Sequence, residues 1–141
     1  MKAISGLAKK RGIITMIDNT FASPINQTPA DFGIDIVIHS ATKYMGGHSD
    51  ISAGVVAASK EHIELIWETG INLGGNLSDF TVWMLERSLK TLNLRVREQT
   101  KNAQVLAEYL EANSSIKKVH YPGLKSHPKH AIAASQMHGF G

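Results

Sequence analysis

Apolar positions recur along this chain first at helical spacing and then in short continuous runs. Ile4, Leu7 and Ala8 fall on one face of residues 2–11, and "GLAKKRG" closes that segment with basic residues and Gly12, which predicts a helix. "IITMIDN" is apolar and β-branched, the mark of a strand buried on both sides. "TFASPINQTPADFG" is punctuated by Pro24 and Pro29 and predicts a loop, with one helical turn from Pro29 to Phe32 ending at Gly33. "IDIVIHS" predicts a second buried strand and "SAGVVAAS" a third, with Gly54 inside it. "KEHIELIWETG" reads as a short helix ending at Gly70. From Ser78 to about Asn113 the stripe is helical: Val82, Leu85, Leu89, Leu92 and Val96, then Ala103, Leu106 and Leu110 beyond an interruption at Gln99. Ser78 is placed to cap this stretch, Asp79 suits the positive helix end, and the length predicts a break near Asn93. "IKKVHYPG" predicts a short strand and "HPKHAIAASQMHG" a final helix.

Helix, three strands and long helices make an α/β pattern. Residues 1–115 are expected to belong to one large domain, and residues 116–141 to begin a second, smaller one. Both ends predict a piece of a longer protein: the first helix starts without a cap, and "QMHGFG" stops without a closing element.

Composition changes this picture little. The 141 residues are 43% hydrophobic and 19% charged, ordinary values for a globular protein. The net charge of +3 is spread along the chain and argues against a nucleic-acid partner. There is no cysteine, so disulfide and thiolate chemistry are excluded, which is compatible with the cytosol. No apolar run approaches the ~18 residues of a membrane span, and the start has no signal-peptide core. Seven histidines are present, with His127 and His130 three apart near His120, but no cysteine or carboxylate completes a metal set there.

The candidate chemistry lies where strands end. In open α/β sheets, ligands sit at the carboxyl ends of strands. The first strand ends in Asp18, Asn19 and Thr20; the second runs into His39, Ser40, Thr42 and Lys43. If the two strands are neighbours, these residues share one crevice. Lys43 is either a surface lysine or a nucleophile, and a nucleophilic lysine must be neutral, which burial, a cationic neighbour or an aldehyde cofactor can arrange. Asp18 is either a satisfied loop residue or a fixed negative charge that keeps a ring nitrogen protonated. A Schiff-base lysine with an aspartate at a pyridinium nitrogen is the binding pattern of pyridoxal phosphate enzymes. Ser40 and Thr42, two residues apart, share one side of the chain and can donate to a phosphate, or simply fill a turn. Gly46 and Gly47 free the turn after Lys43. His48 and Asp50 read as structural residues of that loop.

These residues carry a resemblance. "DNTFASP", "GIDIVIHSATKYMGGHSD" and "GVVA" resemble the Cys/Met-metabolism family of pyridoxal phosphate (PLP) enzymes, which includes cystathionine γ-synthase, γ-lyase and β-lyase and methionine γ-lyase. The likeness continues through "LERSLKTLNLRV", "NAQVLAEYLE", "VHYPGLKSHPKH" and "QMHGFG", nearly the whole chain. It implies the aspartate aminotransferase-like fold, fold type I, with the large cofactor domain followed by the start of the C-terminal domain. It implies pyridoxal 5'-phosphate as cofactor, sulfur amino acids as substrates, and a cytoplasmic tetramer built from tight dimers. Lys43 matches the lysine that joins the cofactor covalently and later moves a proton. Asp18 matches the partner of the pyridine nitrogen, Ser40 and Thr42 the phosphate-binding hydroxyls, and Thr20 a residue beside the ring.

The resemblance places other parts outside these residues: a glycine-containing phosphate loop and ring-stacking tyrosine before them, a carboxylate-binding arginine after them, and a tyrosine from a partner subunit. "GGNLSDFTVW" also lacks the family's common proline after the leucine, although Ser78 can still cap the helix. Alone, residues 1–141 are expected to show little or no turnover. The alternative is a catalytically incompetent piece that keeps only the fold or the cofactor.

Overall fold

Two parallel strands, β1 (Met16–Asp18) and β2 (Ile36–Ser40), set the frame of the molecule, with Asp18 opposite Ile38 in their register. The computed structural model describes residues 1–141. A third strand, β3 (Gly54–Ala58), runs antiparallel to β2 and pairs Ser40 with Gly54. The sheet order is β1-β2-β3, so the run "IVIHS" is central and is the best buried of the three. Asn19 extends the parallel ladder by one bond, donating its amide to the Ile38 carbonyl at 2.9 Å.

Helix α1 (Lys2–Lys10) precedes β1, and Gly12 turns the chain with φ +64°. Between β1 and β2 lie α2 (Ser23–Asn26) and a 3-10 turn, Pro29–Phe32, which Gly33 ends at φ +81°. The turn predicted at Pro29 is therefore present, while α2 occupies part of the predicted loop.

After β3 come α3 (Lys60–Leu73), α4 (Asp79–Leu89) and α5 (Leu92–Glu111). Ser59 and Ser78 cap α3 and α4 by accepting the amides of His62 and Thr81. The first of these helices passes Gly70 and stops at Gly74, φ +71°, whose amide returns to the Ile71 carbonyl. The expected interruption of the long helical stripe falls at Lys90 and Thr91, just before Asn93.

Several expectations differ further from the structure. The segment 116–123 forms no strand, because no neighbouring strand lies beside it to supply a ladder; α6 (His130–Ala134) is then only five residues long. The strand β1 is an edge, not an interior strand. Ile13, Ile14 and Met16 are exposed, and on α1 it is Ser5 and Ala8 that are buried while Ile4 and Leu7 face outward.

The main core lies under the turn that leaves β2. Ala41, Met45 and Ile51 from this region pack with Leu85 of α4 and with Leu92 and Val96 of α5. Ala41 is wholly inaccessible and Met45 nearly so, so Lys43 sits between two residues anchored in the core. Burial of each large apolar side chain here contributes about 1.5–3 kcal/mol, which ties the turn to the two helices. No helix is long and apolar enough to cross a membrane.

Candidate active site

Parallel pairing brings the carboxyl ends of β1 and β2 to the same edge, and Thr20 joins them. Its hydroxyl accepts the Ser40 amide at 2.7 Å, while its own amide donates to Asp18 Oδ1 at 2.9 Å. Asp18, Thr20 and Ser40 are thus one hydrogen-bonded unit. The Thr20 hydroxyl and then its amide hold the Asp18 carboxyl below the usual range, against an opposing effect of burial, and the nearby His39 adds a lesser lowering. The outcome is a carboxylate that stays ionised while it faces solvent. The buried His39 imidazole is pushed below its ordinary value by burial, with the Asp18 charge pulling the other way.

The other polar residue of the strand end, Asn19, has a structural task. It is 3% exposed, and its side-chain amide donates to the carbonyls of Ser23 and Gln27. This bond network holds Ser23 at φ +60°, an uncommon conformation for a residue with a Cβ.

Past Ser40 the chain folds back on itself. The Lys43 amide donates to the Ser40 carbonyl at 3.1 Å, and the Lys43 carbonyl accepts the Gly47 amide at 2.7 Å. Thr42 pins this turn to the residue before β3: its hydroxyl accepts the Ala53 amide at 2.9 Å and donates to the Ala53 carbonyl at 3.3 Å. Gly47 has φ +78°, so the turn needs glycine there. Lys43 is exposed and takes part in none of the ion pairs of the chain. With Thr42, Phe21, Gly47 and Gln99 it lines an open cleft of about 410 Å³.

The residues predicted for the site therefore fall in two adjoining groups. Asp18, Thr20 and Ser40 are bonded together at the strand ends; Thr42 and Lys43 line the cleft, and so does Phe21, the residue after Thr20. His48 caps its own loop, its Nδ1 pairing with the Gly46 carbonyl at 2.7 Å. His130 pairs with the Pro122 carbonyl and His127 with the Lys129 amide, so both serve the loop that contains them.

Sequence reasoning gave no role to Arg95. Its guanidinium donates to the carbonyls of Tyr44, Met45 and Ser88 and to the Thr91 hydroxyl. Nothing in the local pattern around Arg95 signals the Tyr44 and Met45 partners, since that turn lies about fifty positions away in sequence.

Comparison with known proteins decides what this arrangement belongs to. The profile described as Cys/Met metabolism PLP-dependent enzyme matches residues 1–141. The chain belongs to that family. It is 47% identical to the cystathionine β-lyase of Lactococcus lactis subsp. cremoris (strain MG1363), over all of this chain and 37% of that protein. The structure of cystathionine γ-lyase from Lactobacillus plantarum complexed with L-serine superposes with a TM-score of 0.95 at 41% identity, over 99% of this chain and 37% of that one. Cystathionine γ-synthase from Xanthomonas oryzae pv. oryzae, in complex with aminoacrylate and cysteine, gives 0.93 at 44%, over 99% and 36%. The chain thus spans about 37% of the length of the β-lyase and γ-lyase it matches. The α/β arrangement of β1, β2 and the following helices is part of the fold type I architecture of these Cys/Met-family enzymes.

Proposed function

We propose that this chain carries the cofactor anchor of a pyridoxal 5'-phosphate enzyme of sulfur amino acid metabolism. The reaction forms or cleaves C–S bonds of cystathionine, homocysteine or methionine-type substrates by β- or γ-elimination or γ-replacement. The observation that carries this reading is the Thr20 bridge, which fixes an ionised Asp18 beside Ser40, three residues before an unpaired Lys43. A carboxylate held ionised is what a protonated ring nitrogen requires, so the residues present fit the cofactor.

When bound, the cofactor supplies an aldehyde for a lysine and a ring that accepts electrons from the substrate α-carbon. Lys43 Nζ would hold the cofactor covalently and, as a free amine, would be the base for the substrate α-proton. Asp18 keeps the ring nitrogen protonated through its charge. Ser40 Oγ donates to the phosphate. Thr42 would join it by turning its proton from the long 3.3 Å bond with Ala53 to a charged oxygen, a stronger acceptor. Thr20 flanks the ring and keeps Asp18 in place.

In this reading residues 1–115 belong to the large cofactor domain and residues 116–141 begin the smaller one. The end of the last long helix at Glu111 supports that division. A cytoplasmic homotetramer built from tight dimers goes with it. Its support is the family resemblance, together with Trp67, Phe80 and Trp83 left exposed on α3 and α4.

Borohydride reduction in the presence of pyridoxal 5'-phosphate tests the anchor. The label is expected on Lys43 and is expected to vanish in Lys43→Ala. Labelling at another lysine, or undiminished labelling in Lys43→Ala, refutes the assignment.

A further inference from the structure

We propose that Arg95 is a positioning residue for Lys43, setting the place of its amine by gripping the backbone of the turn that carries it; this rests on Lys43 being the cofactor anchor. The guanidinium donates from Nη1 to the Tyr44 carbonyl at 2.8 Å and from Nη2 to the Met45 carbonyl at 3.3 Å, the two residues directly after Lys43. Nη2 also reaches the Ser88 carbonyl at 3.0 Å, in the last turn of α4, and Nε reaches the Thr91 hydroxyl at 3.0 Å. The Thr91 hydroxyl in turn donates to the same Ser88 carbonyl at 3.2 Å. One planar fork thus fastens the lysine turn to the end of α4, whose terminal carbonyls lack intrahelical partners.

Two further features belong to this contact. Gly47 closes the turn, and a Cβ placed on it would lie 2.0 Å from Arg95 Nη1, so the glycine admits the guanidinium as well as the φ of +78°. Ala41 and Met45 on either side of Lys43 are held in the core against Leu92 and Val96, which flank Arg95 on α5. Packing fixes the ends of the turn, but the Tyr44 and Met45 carbonyls are fixed by Arg95. A small shift of the backbone at Tyr44 moves the root of the Lys43 side chain directly. A lysine is interchangeable with Arg95 as a charge but not as a fork, because a single ammonium cannot span three carbonyls in one plane.

The test uses the intact protein stripped of cofactor, with pyridoxal 5'-phosphate as probe and a borohydride quench to follow formation of the Lys43 link. In Arg95→Met the saturating rate of link formation is expected to fall about tenfold or more, with half-saturation by the probe within about twofold, because misplacement of a nucleophile costs rate rather than binding. Arg95→Lys is expected to recover only part of that rate. Thr91→Val, which frees the Nε end of the fork at an exposed site, is expected to lower the rate in the same sense and decides the matter should Arg95→Met fail to fold. A rate equal to the parent's in the folded variants, with only the melting temperature lowered, overturns the proposal and leaves the Lys43 assignment standing. Persistent labelling in a parallel Lys43→Ala control removes the anchor itself, and the proposal with it.

Discussion

The Thr20 hydroxyl lies 2.7 Å from the Ser40 amide and locks together the carboxyl ends of the two parallel strands. Ser40 has no ladder partner in β1 for that amide, since β1 ends at Asp18. Thr20→Val keeps the shape and removes the acceptor. It leaves the amide unsatisfied and is expected to cost about 1–3 kcal/mol, read by urea unfolding, with Thr20→Ser nearly neutral. It also removes the largest influence that lowers the Asp18 pKa, so cofactor affinity is expected to fall on acidification earlier than in the parent. Parent-like unfolding of Thr20→Val contradicts the bridge.

Gly46 and Gly54 separate two uses of glycine. A Cβ on Gly46 would sit 2.9 Å from the Ala41 carbonyl and 3.0 Å from Ile51, both in the core under the lysine turn. Gly46→Ala is expected to destabilise by about 1–3 kcal/mol through overpacking, and to slow capture of pyridoxal 5'-phosphate. Gly54 meets nothing closer than the His39 carbonyl at 4.0 Å. Gly54→Ala is expected to be neutral or to stabilise by about 0.5–1 kcal/mol, because alanine loses less entropy in a strand. Equal costs at the two positions run against this account.

The contrast shows what a sequence can display and what it cannot. The run "IVIHS" announces a central strand because its burial is local in origin, and Ser78 announces a helix start because its partner is three residues on. That Asp18 and Ser40 lie at one sheet edge, joined through Thr20, is readable only on the condition that the strands are neighbours, which parallel pairing fulfils. By contrast, "IKKVHYPG" has strand composition but no strand beside it, and "IITMIDN" has the composition of an interior strand at an edge. Both patterns depend on partners that local periodicity does not name. Arg95 is illegible for another reason: its acceptors on the lysine turn are backbone carbonyls, which every residue has, so no pairing of residue types marks the contact.

His39 gives the structure a pH dependence of definite sign. Burial lowers its pKa below the ordinary 6.5, so the unfolded chain binds a proton more readily than the folded one. Stability is then fully present above about pH 6.5 and is lost as pH falls below it toward the folded value. Urea midpoints measured from about pH 7.5 to about pH 5.5 are expected to decline on the acid side, and His39→Phe, which cannot titrate, is expected to flatten that decline. A slope unchanged by His39→Phe assigns the effect elsewhere.

Residues 1–141 produced alone offer the last prediction. The resemblance places the ring-stacking tyrosine and the carboxylate-binding arginine outside this stretch, while Asp18, Ser40, Thr42 and Lys43 lie within it. Capture of the cofactor on Lys43 and turnover of substrate are therefore expected to separate: borohydride labelling is retained, with no release of pyruvate, 2-oxobutyrate or thiol from L-cystathionine. Large apolar side chains such as Ile13, Ile14, Met16, Trp67, Phe80 and Trp83 are exposed, so self-association is expected as well, visible as a concentration-dependent mass in light scattering. Measurable elimination by this stretch refutes the assignment of substrate binding to outside groups. Loss of labelling in a chain that still shows native helix content removes the claim that the strand-end residues suffice to hold the cofactor.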